Sequence, residues 1–338
     1  VALAIYGFAG LPGGFVPQED EGYFLVNVQL PDGASMERTL AVTDRVNEIL
    51  LETEGVADIV TINGFSAIDE SRASNAAAVF VMLEDWDDRP NIMLHQNAII
   101  WRLNRQLAAI QEGVVIGFPM PSLPGLGTSG GFSLQLQDRT GAGLGMLQNV
   151  AQEVAIQANQ APGIAPGSTF TTFRAGVPQL YLDIDREQIK QMNMPLQSVF
   201  DALAAYLGSV YINDFNLFGR IYKVKVQAEA FARATPEDIE ALEVRNAAGR
   251  MVPLGAVLSV EEVVGPQVVT HHNIYAAARI NGQPAAGYSS GQAIGIMESL
   301  LDAMLPPSMG YAWVDLSYQE KAASGAASIV FLFSILLV

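Results

Sequence analysis

The 338 residues contain no cysteine and only three histidines. Without thiols there is no disulfide framework, no thiolate metal site and no cysteine nucleophile. His95 falls on an expected helix, on one face with Ile99. His271 and His272 are adjacent, so in a strand they point to opposite sides and cannot grip one metal together. Basic residues are scarce as well, 18 Lys and Arg against 35 Asp and Glu, for a formal charge of −17. Phosphate binding needs a basic footprint, so nucleic acid is excluded as a partner. The same sign disfavours adsorption to anionic lipid heads. No P-loop, H-E-x-x-H or G-x-S-x-G pattern occurs. The single G-x-G-x-x-G, from Gly125 to Gly130, follows proline-broken MPSLP and runs into a strand instead of a helix. No cofactor is expected.

Charge is also missing from both ends of the chain. VALAIYGFAGLPG at 1–13 and SGAASIVFLFSILLV at 324–338 hold no ionisable side chain and present no polar face at helical spacing. A bilayer span needs about 20 apolar residues. Residues 1–14 are therefore expected to be the end of one membrane helix and 321–338 the start of another.

Between them the apolar periodicity is legible. Residues 23–30 alternate as a strand, Pro31-Asp32-Gly33 gives turn chemistry, and Ser35 is a helix N-cap for the stripe Leu40, Val42, Val46, Ile49 and Leu50. Strands follow at 56–63 and 77–83. Asn91 then caps a helix whose Ile99, Leu103, Leu107 and Ile110 share a face, and 114–118 is a strand. Strand, helix, strand, strand, helix, strand is the split βαβ, or ferredoxin-like, order. The order repeats with strands at 132–137, 169–173, 275–280 and 311–316 and helices striped by Leu147, Ala151, Val154, Ala158 and by Ala293, Met297, Leu300, Met304. The fold class is thus α+β, with two ferredoxin-like (βαββαβ) units. The second is split by an insertion at about 175–270, which has a strand at 181–185, a helix after Pro195, a hairpin around 216–219 and a helix start at Thr235-Pro236-Glu237-Asp238.

Acidic runs such as Glu19-Asp20-Glu21, Glu84-Asp85 and Asp87-Asp88 read as solvated turns. Asp183 and Asp185 share one face of a strand, a spacing compatible with a cation site. The stretch 64–75, GFSAIDESRASN, separates two apolar strands by too much for a tight hairpin, and loops of that length are usually functional or mobile. Phe65 at its root and Phe80 on the next strand could line an apolar pocket.

Several stretches together resemble a known family. GFVPQEDEGYFLVNVQLPDGAS, NGF with its loop, VMLEDWDDRP, GSVYINDF, GRMVPLGAV, AAGYSSGQA and SYQEKAASG occur in the order found in the second periplasmic half of resistance-nodulation-division (RND) multidrug efflux pumps. The resemblance implies a homotrimeric, proton-driven antiporter of the bacterial inner membrane, not an enzyme. It would capture small amphiphilic drugs or other lipophilic compounds in the periplasm and pass them towards a periplasmic adaptor protein and an outer-membrane channel.

It further implies porter subdomain PC1 at 15–125, PC2 at 126–174 and 271–320, and docking subdomain DC at 175–270. By motif, Phe65, Phe80 and Val60 would line a distal drug pocket, and Leu25, Asn27, Gln29, Thr128 and Arg174 a proximal cleft. Gly64, Ser66, Ala67, Ile68, Asp69, Glu70, Ser71 and Arg72 would form the switch loop between them. Ile68, Asp69 and Glu70 stand where the family commonly has more glycine and a second phenylalanine, and Ala67 and Val60 replace aromatics. The competing expectation is a periplasmic scaffold that shares the architecture without transport.

Overall fold

Strand β1 (Tyr23–Gln29) sorts its side chains by parity: Phe24, Val26 and Val28 to one face, Leu25, Asn27 and Gln29 to the other. The computed structural model describes residues 14, 16, 19–123, 125–127 and 129–323. Thr128 lies outside them, as do the expected membrane-helix ends at 1–14 and 321–338, apart from Gly14 and 321–323. The chain divides into two compact units, Val1–Val177 with Pro266–Val338, and Pro178–Gly265.

In the first unit, β1 leads through α1 (Met36–Leu51) to β2 (Val56–Ser66) and β3 (Ser71–Leu83), then through α2 (Gln96–Leu107) to β4 (Val114–Pro119). The sheet order is β2-β3-β1-β4, and each neighbouring pair is antiparallel. β3 thus lies between β1 and β2, as the ferredoxin-like order requires. Ser35 caps α1 by accepting from the Arg38 N–H at 3.4 Å. Val42, Val46 and Leu50 of α1 and Ile99, Leu103 and Leu107 of α2 pack on Phe24, Val26, Val28, Val79 and Val81. Each such buried side chain contributes about 1.5–3 kcal/mol, so both helices are held to one face of the sheet.

The second sheet repeats the plan. β5 (Phe132–Asp138), α3 (Leu144–Gln160) and β6 (Phe170–Thr171) come first, and β13 (Thr270–His272), β14 (Tyr275–Gly282), α7 (Ser290–Met304) and β15 (Met309–Trp313) close it after the insertion. β14 pairs with β5, and β5 with β15, while β6 and β13 share the outer edge of β14. Leu147, Ala151, Val154 and Ala158 of α3 and Ala293, Met297 and Leu301 of α7 bury Phe132, Leu134 and Leu136. The Phe132 ring meets Trp313 edge-on at 6.5 Å. α3 starts without a side-chain cap at Gly143. Its free N–H groups turn back to Asp138, whose carboxylate accepts from Gly141, Ala142 and Gly143 at 2.9 Å each. Burial raises the Asp138 pKa, and the donors from 140–143 outweigh it and hold the group below its ordinary value.

The second unit contains β7 (Val177–Ile184), α4 (Arg186–Gln191), α5 (Leu196–Leu203), β8 (Val210–Leu217), β9 (Arg220–Val226), α6 (Pro236–Ala241), β10 (Glu243–Arg245), β11 (Met251–Pro253) and β12 (Leu258–Gly265). Ile189, Val199, Ile239, Leu254 and Val257 make its core. Pro236 opens α6, and the Asp238 carboxylate accepts from the Thr235 N–H at 2.9 Å. The β8–β9 turn is tighter than the expected 216–219. Phe218 and Gly219, at φ +51° and +72°, close it as a two-residue turn of the twisted-hairpin kind.

The structure corrects several local expectations. His95 is not inside a helix but caps α2, its Nδ1 accepting from the Asn97 N–H at 3.3 Å. Asn91 caps a separate short turn, Ile92–Leu94, because Arg89 binds the Leu94 carbonyl at 2.7 Å and breaks the run before α2. β6 covers only Phe170–Thr171, since Thr169 gives its N–H to Asn159 Oδ1 of α3 and not to a strand. Asp185 has left the strand of Asp183: it caps α4 by accepting from Glu187 and Gln188. Among the described residues no group of three or more acidic or histidine side chains could hold a metal.

Asp20 is not a solvated turn residue either. Arg89, with a side chain 1% exposed, grips both its oxygens at 2.9 and 3.1 Å, and Gln96 and Gly22 add backbone N–H donors at 2.8 and 3.0 Å. Burial raises the Asp20 pKa, but the Arg89 hydrogen bonds, the two backbone donors and the Arg89 charge prevail and bring it to about 2. The bend before β1 is thereby fastened to the start of α2.

Candidate functional site

The helix-free face of the first sheet carries the residues singled out from the sequence. Cross-strand register places Val60 opposite Phe80, Phe80 opposite Leu25, and Leu25 opposite Phe118. The next row is Ile62, Ala78, Asn27 and Ile116. Residues directly opposite in an antiparallel pair share a face. The face is therefore an apolar surface with one amide, Asn27, in its middle.

What covers this face comes from a turn and a short strand. Leu25, Ile68, Ala78 and Phe118 form a buried cluster, with Phe65, Ala67, Phe80, Ile116, Met120 and Phe170 half-buried against it, and no helical residue belongs to it. The Phe118 and Phe170 rings lie 6.1 Å apart. Cover is complete over Leu25, at 1% exposed, and absent over Val60, at 51%. The surface thus passes from closed to open along a single row of side chains.

The expected switch loop is a hairpin tip. β2 and β3 continue pairing through Phe65 with Arg72 and Ser66 with Ser71, leaving only 67–70 as turn. A register shift between Asn63 and Phe65 makes this possible. Gly64 sits there at φ +78°, where a Cβ would fall 2.7 Å from the Met36 Cε, so the position suits glycine alone. Inside the turn Ser66 Oγ donates to Asp69 Oδ2 at 2.9 Å, and Thr172, just beyond β6, donates its hydroxyl to Asp69 Oδ1. Ile68, 4% exposed, is folded inwards by these ties.

The polar candidates separate. Asn27 is 3% exposed and its Oδ1 has no hydrogen-bond partner. An orphaned buried acceptor of this kind costs about 1–3 kcal/mol, so this amide is poised for a donor. Gln29 is satisfied by its surroundings, giving Nε2 to the Leu30 and Asn75 carbonyls at 3.1 and 3.2 Å. Arg174 stands apart from the apolar cluster, ion-paired to Asp32 and bonded to Gln267 Oε1 at 3.1 Å. It borders a small cavity of about 40 Å³ together with Asp69, Thr172 and Arg279, room for about one water. A larger cavity of about 440 Å³ in this unit, lined by Asn97, Ser122, Tyr288, Ser290 and Glu320 among others, includes none of the candidate residues.

Phe118, Phe170 and Met120 join the cluster without having been singled out. Phe118 was readable in principle, because the alternation of 114–118 gives it the parity of Ile116. Phe170 was not, since it arrives through a strand of two residues.

Compared with known proteins, the whole of residues 1–338 matches the AcrB/AcrD/AcrF family. The chain belongs to that family. Among curated relatives, the Multidrug export protein AcrF of Escherichia coli (strain K12) is 36% identical over 344 residues, covering 100% of this chain and 32% of AcrF. The Toluene efflux pump membrane transporter TtgB of Pseudomonas putida is 33% identical over 342 residues, covering 99% of this chain and 31% of TtgB. The Multidrug resistance protein MdtF of Escherichia coli (strain K12) is 33% identical, covering 98% of this chain and 32% of MdtF. This AcrB/AcrD/AcrF family chain therefore spans about a third of the length of the relatives it matches. The RND resemblance read from the motifs is borne out. Among the described residues no helix is long and apolar enough to cross a membrane.

Proposed function

We propose that the chain is the second periplasmic region of a proton-driven RND multidrug efflux transporter of the bacterial inner membrane. It binds amphiphilic compounds against the helix-free face of the first sheet and passes them towards an adaptor and an outer-membrane channel. Residues 15–125 act as PC1, 126–174 with 271–320 as PC2, and 175–270 as DC, within a homotrimer whose proton relay lies outside residues 1–338. Residues 1–14 and 321–338 belong to flanking membrane helices.

The observation that carries this reading is the row Val60, Phe80, Leu25, Phe118, apolar and graded from open to covered, under a hairpin tip that includes Phe65. Apolar burial is non-directional, so such a wall accepts varied amphiphiles, and one unpartnered amide supplies a polar handle. Phe65, Phe80, Val60, Leu25 and Asn27 contact the compound. Gln29, Thr128 and Arg174 border its approach, and 64–72 is the moving cover.

The test is Phe65→Ala in the complete pump. Susceptibility to bulky substrates should rise several-fold while trimer yield in the membrane stays constant. Unchanged susceptibility, or loss of folded trimer, removes Phe65 from the drug path.

A further inference from the structure

One exposed surface takes no part in the site above. Trp86, Ile92 and Met93 are 61%, 76% and 56% exposed, although they lie on two short turns that are otherwise firmly held. Arg89 stands between the turns, its Nε donating to the Glu84 carbonyl and one Nη to the Leu94 carbonyl, both at 2.7 Å. The three apolar side chains are thus displayed by a rigid support. Their exposure does not follow from looseness.

Their place in the fold is set by β1. Trp86 Nε1 donates to the Asp20 carbonyl at 3.1 Å, and its ring lies 3.6 Å from where a Cβ on Gly22 would be. Asp20 and Gly22 lead directly into β1, and the sequence before them, 1–13, carries no charge. The apolar group therefore flanks the point where the uncharged segment meets the folded unit. Around it stand Glu84, Asp85, Asp87 and Asp88, all exposed. Tryptophan beside aliphatic side chains is the composition of a membrane-water boundary, whereas a ring of carboxylates repels anionic lipid heads.

We propose that Trp86, Ile92 and Met93 seat in the headgroup layer of the adjoining bilayer, and that the carboxylates of Asp85, Asp87 and Asp88 pair with the ammonium groups of phosphatidylethanolamine. The occupant is thus lipid with a zwitterionic, ammonium-bearing head. The inference rests on the proposed placement of the chain beside a membrane, and not on which residues touch a drug.

The test uses the complete transporter in nanodiscs of phosphatidylethanolamine, with a spin label at Ile92→Cys and, as reference, at Val114→Cys. Val114 is 66% exposed and pairs with Gln29 at the opposite end of β1. Neither substitution touches a core. The Ile92 label should collide several-fold more with oxygen than with a water-soluble nickel chelate, relative to the Val114 label. Replacing the lipid with phosphatidylglycerol should return the ratio towards that of Val114. Equal ratios at both positions in phosphatidylethanolamine overturn the proposal, and a ratio indifferent to headgroup overturns the pairing. A label shielded from both reagents in detergent as well as in lipid identifies a covering protein segment, and also overturns it. Drug susceptibility of the labelled variants reports separately on the transport reading.

Discussion

Asp20 shows how much one residue can decide. Its folded pKa of about 2 lies below the ordinary carboxylate value of 3.8. The depressed value means that its contribution to stability is fully present above about pH 4 and is lost as pH falls towards 2, on the order of 2 kcal/mol. Asp20→Asn should therefore lower stability at pH 7 by about that amount and flatten the acid limb of an unfolding profile recorded between pH 5 and 2. A variant with the wild-type acid limb would show that the clamp is not what holds the bend. From the sequence, Glu19-Asp20-Glu21 read as three equivalent acids, because a charge run says nothing of which member meets a buried arginine. His95 misled for a similar reason. A cap and a first-turn residue differ by one position, and helical spacing does not resolve one position.

At the scale of elements, the cover of the apolar face hangs on few ties. Thr172 reaches Asp69 across the gap between the two sheets, and the turn 67–70 is otherwise held by Ser66. Thr172→Val keeps the shape and removes the hydroxyl. Amide exchange at 66–71 should speed up, by a factor of roughly 5 for about 1 kcal/mol, while protection of Val26 and Val28 in β1 is unchanged. Uniform acceleration across β1 would mean that the tip and the sheet open together. The strands and helices were legible because one face of each is buried: Ile99, Leu103 and Leu107, or Leu147, Ala151 and Val154, repeat at helical spacing and are fully covered. The hairpin tip was hidden because Ser, Asp, Glu and Arg at 66–72 resemble a loop, and its order comes from cross-sheet bonds that local pattern does not encode.

For the molecule as a whole, the sequence announced two similar α+β units through the repeated order of elements, and the two sheets share that order. The unit Pro178–Gly265 leaves and returns at positions that lie close together, since β7 and β12 pair and a Cβ on Gly265 would be 3.2 Å from Gln179 Oε1. Closing so short a gap with a flexible linker costs little entropy. A chain with residues 178–265 replaced by a short Gly-Ser linker should keep slow amide exchange at Leu134, Leu136 and Ile280. Loss of that protection would make the second unit necessary to the second sheet.

The register shift beside Gly64 carries a further consequence. Ahead of it, even-numbered positions such as Val60 and Ile62 face the apolar pocket side, and Thr61 and Asn63 face α1 through Asn47 and Thr43. Beyond it the odd-numbered Phe65 joins the pocket side. Gly64 therefore inverts the parity of the strand, because one extra residue exchanges the two faces of everything after it. A relative that gained or lost a single residue at this point would present its neighbour of Phe65 to the pocket, and so change its lining by a frame of one without substituting any side chain.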